Sequence, residues 1–256
     1  MRWSARTDQS CSQADASDDV SGAVCPPRAA RVNCTNGILL IWPVNMASSS
    51  WLIEVAGLLQ EHGFKKRAGG IFTREIAEDV IGWLGLNRAS KHHPAGQVEV
   101  NPVVGIRHQA IERIVAELRG EKFHAYVPPT VSTPLGYVMP AASYRGWLLG
   151  AGVVEHNADD LVAAIEAFGV PFMVSGSSLP ELCWLIGQGF GYDHQLVYRC
   201  PVAWILAGDL ARAQEVLEAA EADLGSRTDA AAIQFRSFST AFRNRFAASS
   251  SSGRGV

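Results

Sequence analysis

From residue 51 onward the apolar positions of this chain follow two kinds of pattern. Trp51, Leu52, Val55, Leu58 and Leu59 recur at three- and four-residue steps, the spacing of one helical stripe, with Ser48 to Ser50 as candidate N-caps and Gly63 as the stop. Beyond the basic run Lys65-Lys66-Arg67 and Gly69-Gly70, residues 71–76 and 80–87 predict two strands joined through Ala77-Glu78-Asp79. Residues 98–106 predict a third. There Val98, Val100, Val104 and Ile106 share one parity and Glu99, Asn101 and Arg107 the other, so one face is expected to be buried and the other available. Pro102 has no N–H for a ladder, which predicts an edge position or incomplete pairing. The period then returns to helical through Ile111, Ile114, Val115 and Leu118, and Gly120 ends it.

Residues 126–150 are broken by Pro128, Pro129, Pro134, Gly136 and Pro140, which predicts irregular extended chain and one short strand over 147–149. From Asn157 the signals are helical. Asn157 and Asp160 cap a segment bearing Leu161, Val162, Ile165 and Phe168, and Ser178 with Glu181 has the S-x-x-E spacing of a capping box. Two helices meet at Gly208-Asp209, and a last one carries Phe235, Phe238, Phe242 and Phe246 along one stripe. The expected architecture is α+β: a small antiparallel sheet flanked by helices over residues 46–150, packed against a helical portion, 151–248, of the same compact unit, because the apolar strand faces need a cover. Residues 249–256 read as a flexible tail. Residues 1–45 contain no Lys, Glu, Phe, Tyr or His and no periodicity, and read as a disordered leader, with Met46 as an alternative start.

Charge and composition narrow the function classes. With 22 basic against 25 acidic side chains and a net charge of -3, the chain lacks the basic excess of a nucleic-acid binder. The apolar run 38–44 is interrupted by Pro43 and falls short of the roughly 20 residues that a membrane helix needs, so no membrane partner is expected. Five cysteines without a CxxC pair or an export signal fit reduced thiols in a cytoplasm. No metal-ligand spacing and no nucleophile motif occurs, so no metal and no cofactor are expected. Adjacent His92 and His93 point in different directions and read as a polar loop. Gly187-x-Gly189-x-Gly191 follows a helix rather than a strand and reads as helix termination. LAGDLARAQEVLEAA has the turn of one tetratricopeptide unit, but a single unit builds no array.

The constellation that stands out is Arg88, Glu99, Asn101, Arg107 and His108. Alternation puts Glu99, Asn101 and Arg107 on one strand face, and the neighbouring strand is expected to bring Arg88 beside them. Arginine forks on a polar sheet face suit recognition of another protein, which makes a non-catalytic binding module the expected function. The alternative is a small hydrolase in which His92 or His108 joins Glu99 and Arg107.

The order helix, GFKKR (residues 63–67), an aromatic strand ending Thr73-Arg74-Glu75 and a strand over 83–87 resembles a bacterial family of domains with no established activity that share a GFKKRG-like start. VPFMVSGSSLPEL (residues 170–182) and the LAGDLARAQEVL turn are similar to that family's helical second half. The resemblance spans residues 47–246 and implies an α+β fold and a toxin-neutralising, immunity-like or other protein-binding role. WLGLNRASKHH and the proline-rich insert at 126–140 depart from its pattern.

Overall fold

The computed structural model describes residues 47–89, 93, 94, 96–150, 152 and 158–247; the leader, Met46, His92, Asn157 and the tail after 248 lie outside the described residues. Helix α1 (Ala47–Glu61) precedes four strands, β1 (Lys65–Lys66), β2 (Ile71–Ala77), β3 (Val80–Ala89) and β4 (Gln97–His108). Helix α2 (Gln109–Arg119), β5 (Val131–Pro134) and β6 (Trp147–Gly150) follow. The remainder is helical: α3 (Ala158–Ala164), α4 (Val170–Ser175), α5 (Leu179–Gly187), α6 (Asp193–Leu206), α7 (Leu210–Leu224) and α8 (Ala230–Ala247). The expected α+β architecture, an antiparallel sheet with a helical second half, is the one found.

The six strands form one antiparallel sheet in the order β1-β2-β3-β4-β5, with β6 also pairing β4. Strand β4 is therefore central, so of the two alternatives expected for Pro102 the edge position is not found and the incomplete pairing is. Its partners explain how the proline is tolerated. Residues Val103 to Ile106 pair with β5 and Gln97 to Val100 pair with β6, so no strand lies beside Asn101 and Pro102 on that flank. The backbone N–H of Leu86, opposite Pro102, donates toward β2, to Gly70 O (2.8 Å), so the Pro102 nitrogen faces away from β3 and into that gap. The proline removes a donor that had no acceptor.

One face of the sheet is closed. Val98, Val100, Val104 and Ile106 of β4, with Leu84 and Leu86 of β3, are buried beneath α1 and the rod formed by α3, a π turn (Ile165–Gly169) and α4. The rod lies close because small residues face it: a Cβ on Gly169 would stand 2.9 Å from Val104 Cγ1, and one on Gly82 would stand 2.7 Å from Met173 Sδ. Pro171, which cannot donate within a helix, is the second residue after the π turn. Each aliphatic side chain buried in this layer contributes about 1.5–3 kcal/mol.

Local signals set most helix ends. Gly63 and Gly120 take positive φ (81° and 67°) after α1 and α2, the left-handed stop that glycine adopts without strain. Ser178 Oγ accepts from Glu181 N (3.4 Å), and Asp209 Oδ1 accepts from Arg212 N (2.8 Å) at the α6–α7 junction. Ser48 to Ser50, expected before α1, instead lie inside it. The Phe235, Phe238 and Phe242 stripe of α8 is buried, with Phe238 edge-on to Tyr198 of α6 (centroids 5.0 Å). Residues 126–150, expected to hold one strand, hold two: β5 forms because β4 offers it a partner.

Candidate functional site

The second face of the sheet carries the outward parity of β4, and its exposure changes along the strand. Glu99, Asn101 and Val103 are half-buried, whereas Gly105 and Arg107 are buried. The difference comes from the chain between α2 and β5, which turns back over the end of β4; a Cβ on Gly105 would stand 3.0 Å from Pro129 Cβ.

On the uncovered part, Trp83 of β3 lies over Gly85, where its ring fills the space that a side chain would take. Trp83 and Val103 form a half-exposed apolar patch at one end of the uncovered face; the Asn87–Asn101 pair follows it along the ladder, and Glu99 with half-exposed Leu148 lies beyond that pair. Glu99 accepts from Tyr144 Oη (2.9 Å) and lies 3.3 Å from His93 Nε2. The ladder pairs Asn87 with Asn101 and Arg88 with Val100, so Arg88 projects from the opposite face, exposed beyond the helical cover. It does not join Glu99 and Asn101 as expected, and Asn87 takes that place.

Arg107 and His108 correct the expectation of an available face. Arg107 is 1% exposed and donates to the carbonyls of Pro128 and His124 and to Gln109 Oε1 (3.2 Å). Its guanidinium stands 3.5 Å from Glu112 Oε2 on α2. Arg199 of α6 reaches the same carboxylate, with Nε 2.7 Å from Oε1. Thr130 Oγ1 donates to Glu112 (2.8 Å) and accepts from His108 N (3.0 Å). Two buried guanidiniums thus share one carboxylate; burial draws Arg107 down to about 10 and also lowers Arg199. Glu112 and Arg199 were not singled out by the sequence, although Arg199 carries a signal: it stands three residues after Leu196 and three before Val202, inside a buried stripe.

The hydrolase constellation is not assembled. Glu99 and Arg107 are eight residues apart on one strand, about 27 Å at ~3.4 Å per residue, and His108 points from the other face. His92 lies outside the described residues. His108 has a consequence of its own: its Nδ1 is buried without a partner, and burial lowers its pKa. Below its ordinary value near 6.5 the unfolded chain binds the proton more readily than the native state, so stability falls on acidification through that range. The melting temperature is expected to drop between pH 7 and pH 5, with a slope of at most ~1.4 kcal/mol per pH unit from this group, and His108→Gln is expected to flatten that slope. An unchanged slope in the variant would assign the pH dependence elsewhere.

The basic run and the two described cysteines have structural roles. Lys65 Nζ pairs with Glu75 (2.7 Å), Arg67 Nε with Thr73 Oγ1 (2.8 Å) and Arg74 with Glu166 (3.0 Å), so the basic run is stapled along the β1–β2 hairpin and onto the helical rod. Burial pushes the thiols of Cys183 and Cys200 up to about 12 and about 11, which removes them as nucleophiles near neutral pH. Among the described residues no three His, Cys, Asp or Glu gather as a metal site. The chain matches no family model, no curated protein and no solved structure.

Proposed function

We propose that this protein is a non-catalytic binding module that holds a protein partner on the uncovered face of its sheet. The observation that carries the reading is the contrast between the two faces: one is covered by helices, while the other leaves Trp83, Val103 and Leu148 half-exposed and interleaved with Asn87, Asn101, Glu99 and Tyr144. Half-exposed aromatic and aliphatic groups interleaved with hydrogen-bonding side chains have the composition of a recognition patch. A partner presenting an apolar side chain among amide or hydroxyl groups complements it.

A photo-crosslinking residue at Asn101 in the protein's native cells tests this. A discrete adduct is expected there and none from Gln214 on the exposed side of α7. Tyr144→Ala, which truncates an aromatic 58% exposed, is expected to cut the adduct yield about tenfold. No adduct at Asn101, or one indifferent to Tyr144, would refute the proposal.

A further inference from the structure

The Arg107–Glu112–Arg199 cluster borders a cleft of about 170 Å³ between α2, the 121–130 segment and α6. Four cationic side chains line it, Arg107, Arg119, Lys122 and Arg199, against the carboxylates of Glu112 and Glu121. Glu121 is engaged by Arg119 (2.7 Å) and by Gln234 Nε2 (3.2 Å). Glu112 is saturated by Arg199, Thr130 and Arg107. The lining therefore holds more positive charge than its own carboxylates balance, and two of its guanidiniums are shielded from solvent by the fold.

Hydrogen-bonding capacity is also left over. Arg199 Nη1 donates to the Thr130 carbonyl (3.2 Å) and Nη2 to Glu112 Oε2 (3.2 Å), and each terminal nitrogen carries a second hydrogen beyond these bonds. Arg119 Nε is buried with no acceptor, and Gln195 Oε1 is buried with no donor; both residues line the cleft. A buried donor or acceptor left unpaired is costly, and a ligand that pairs it removes that cost. Two residues of the cleft wall thus hold an unpaired donor and an unpaired acceptor, each closed off from solvent by its neighbours.

We propose that this cleft is a binding site for a small hydroxyl-bearing oxyanion, the chemistry that hydrogen phosphate shares with hydroxycarboxylates. On binding, the anionic oxygens lie against Arg199 and Arg119, and the Gln195 side chain turns to bring its Oε1, closed to solvent in the free protein, to the ligand O–H. The volume sets the size: it is smaller than the roughly 300–1,000 Å³ of a site for a drug-sized molecule, which admits a free anion and excludes a nucleotide. Bound negative charge also offsets the excess that burial makes costly at Arg107 and Arg199. Lys122 and His124, both exposed, stand at the mouth and draw anions toward it.

Calorimetric titration of the full chain at constant ionic strength tests this with inorganic phosphate and malate, each against a counterpart without the hydroxyl donor, sulfate and succinate. Saturable one-to-one binding of phosphate or malate is expected, about tenfold tighter than its counterpart, and the preferred ligand identifies the source. Arg119→Gln is expected to weaken binding about tenfold. Because Arg119 also stacks on Tyr198 (4.2 Å), the exposed-mouth variant Lys122→Gln gives a second reading, a two- to threefold loss on the order of a surface charge effect, larger at low salt. Absence of saturable binding by both hydroxyl-bearing anions, equal binding of sulfate and succinate, or affinities unchanged in both variants would overturn the proposal.

Discussion

Glu112→Ala is expected to cost about 3–5 kcal/mol of folding stability, because it leaves two guanidiniums buried without their shared counter-charge. Glu112 is 7% exposed, Arg107 1% and Arg199 3%, so water meets them only along the narrow cleft they border and does not replace the carboxylate between the two guanidiniums. Thr130 is caught in the same loss, since its hydroxyl hands one hydrogen bond to Glu112 and receives another from the His108 N–H. The effect should depend on charge more than on volume. Glu112→Gln keeps the shape and is expected to lose most of the same energy, whereas the triple variant Arg107→Met, Glu112→Leu, Arg199→Met removes every charge together and is expected to recover much of it. Urea unfolding of the three variants separates these cases. A loss below about 1 kcal/mol for Glu112→Ala would mean that solvent reaches the cluster.

Trp147→Ala is expected to be comparably severe, at about 3–5 kcal/mol. The indole is fully buried, lies on β6 opposite Val100, and donates from Nε1 to Asp160 Oδ2 (2.7 Å) on α3. One side chain therefore joins the sheet to the helical rod through both packing and a charge-assisted hydrogen bond. Arg145, over the ring at 4.7 Å, also pairs with Asp160 (3.2 Å). Trp147→Phe keeps most of the apolar volume and loses the donor, for an expected cost of about 1.5–3 kcal/mol. Trp184→Ala, at a tryptophan 57% exposed, is expected to stay within about 0.5 kcal/mol. Thermal melts of the three rank burial against mere aromatic content, and an equal loss at Trp147 and Trp184 would contradict this account.

The periodicities of the sequence were sufficient for β2, β3, β4, α2 and α8, where local pattern and tertiary environment agree. Strand β5 was not legible, because four residues ending in proline carry no alternation, and its pairing depends on a strand more than twenty residues away. The face of Arg88 was misread for a different reason. Alternation fixes the two faces within a strand, but the offset between neighbours comes from the connecting loop, and the β3–β4 register places Asn87, not Arg88, beside Asn101. Arg107 obeyed its parity and was still buried, since the covering chain returns from after α2 and nothing in β4 itself announces it. Half of the patch's four polar residues, Glu99 and Asn101, were legible; its apolar groups needed the pairing that brings Trp83 and Leu148 to either side of β4.

The gap beside Pro102 also governs how another chain can approach. Strands β5 and β6 are four residues each and stand on either side of it, β1 is a pair of lysines, and the end of β2 is distorted by a register shift between Glu75 and Ala77. Short, charged and interrupted margins give an incoming strand too few consecutive amides to zip onto. Self-association by strand addition is thereby disfavoured, and a visitor to this sheet meets it broadside, through side chains laid across the ladder, and not as one more rung.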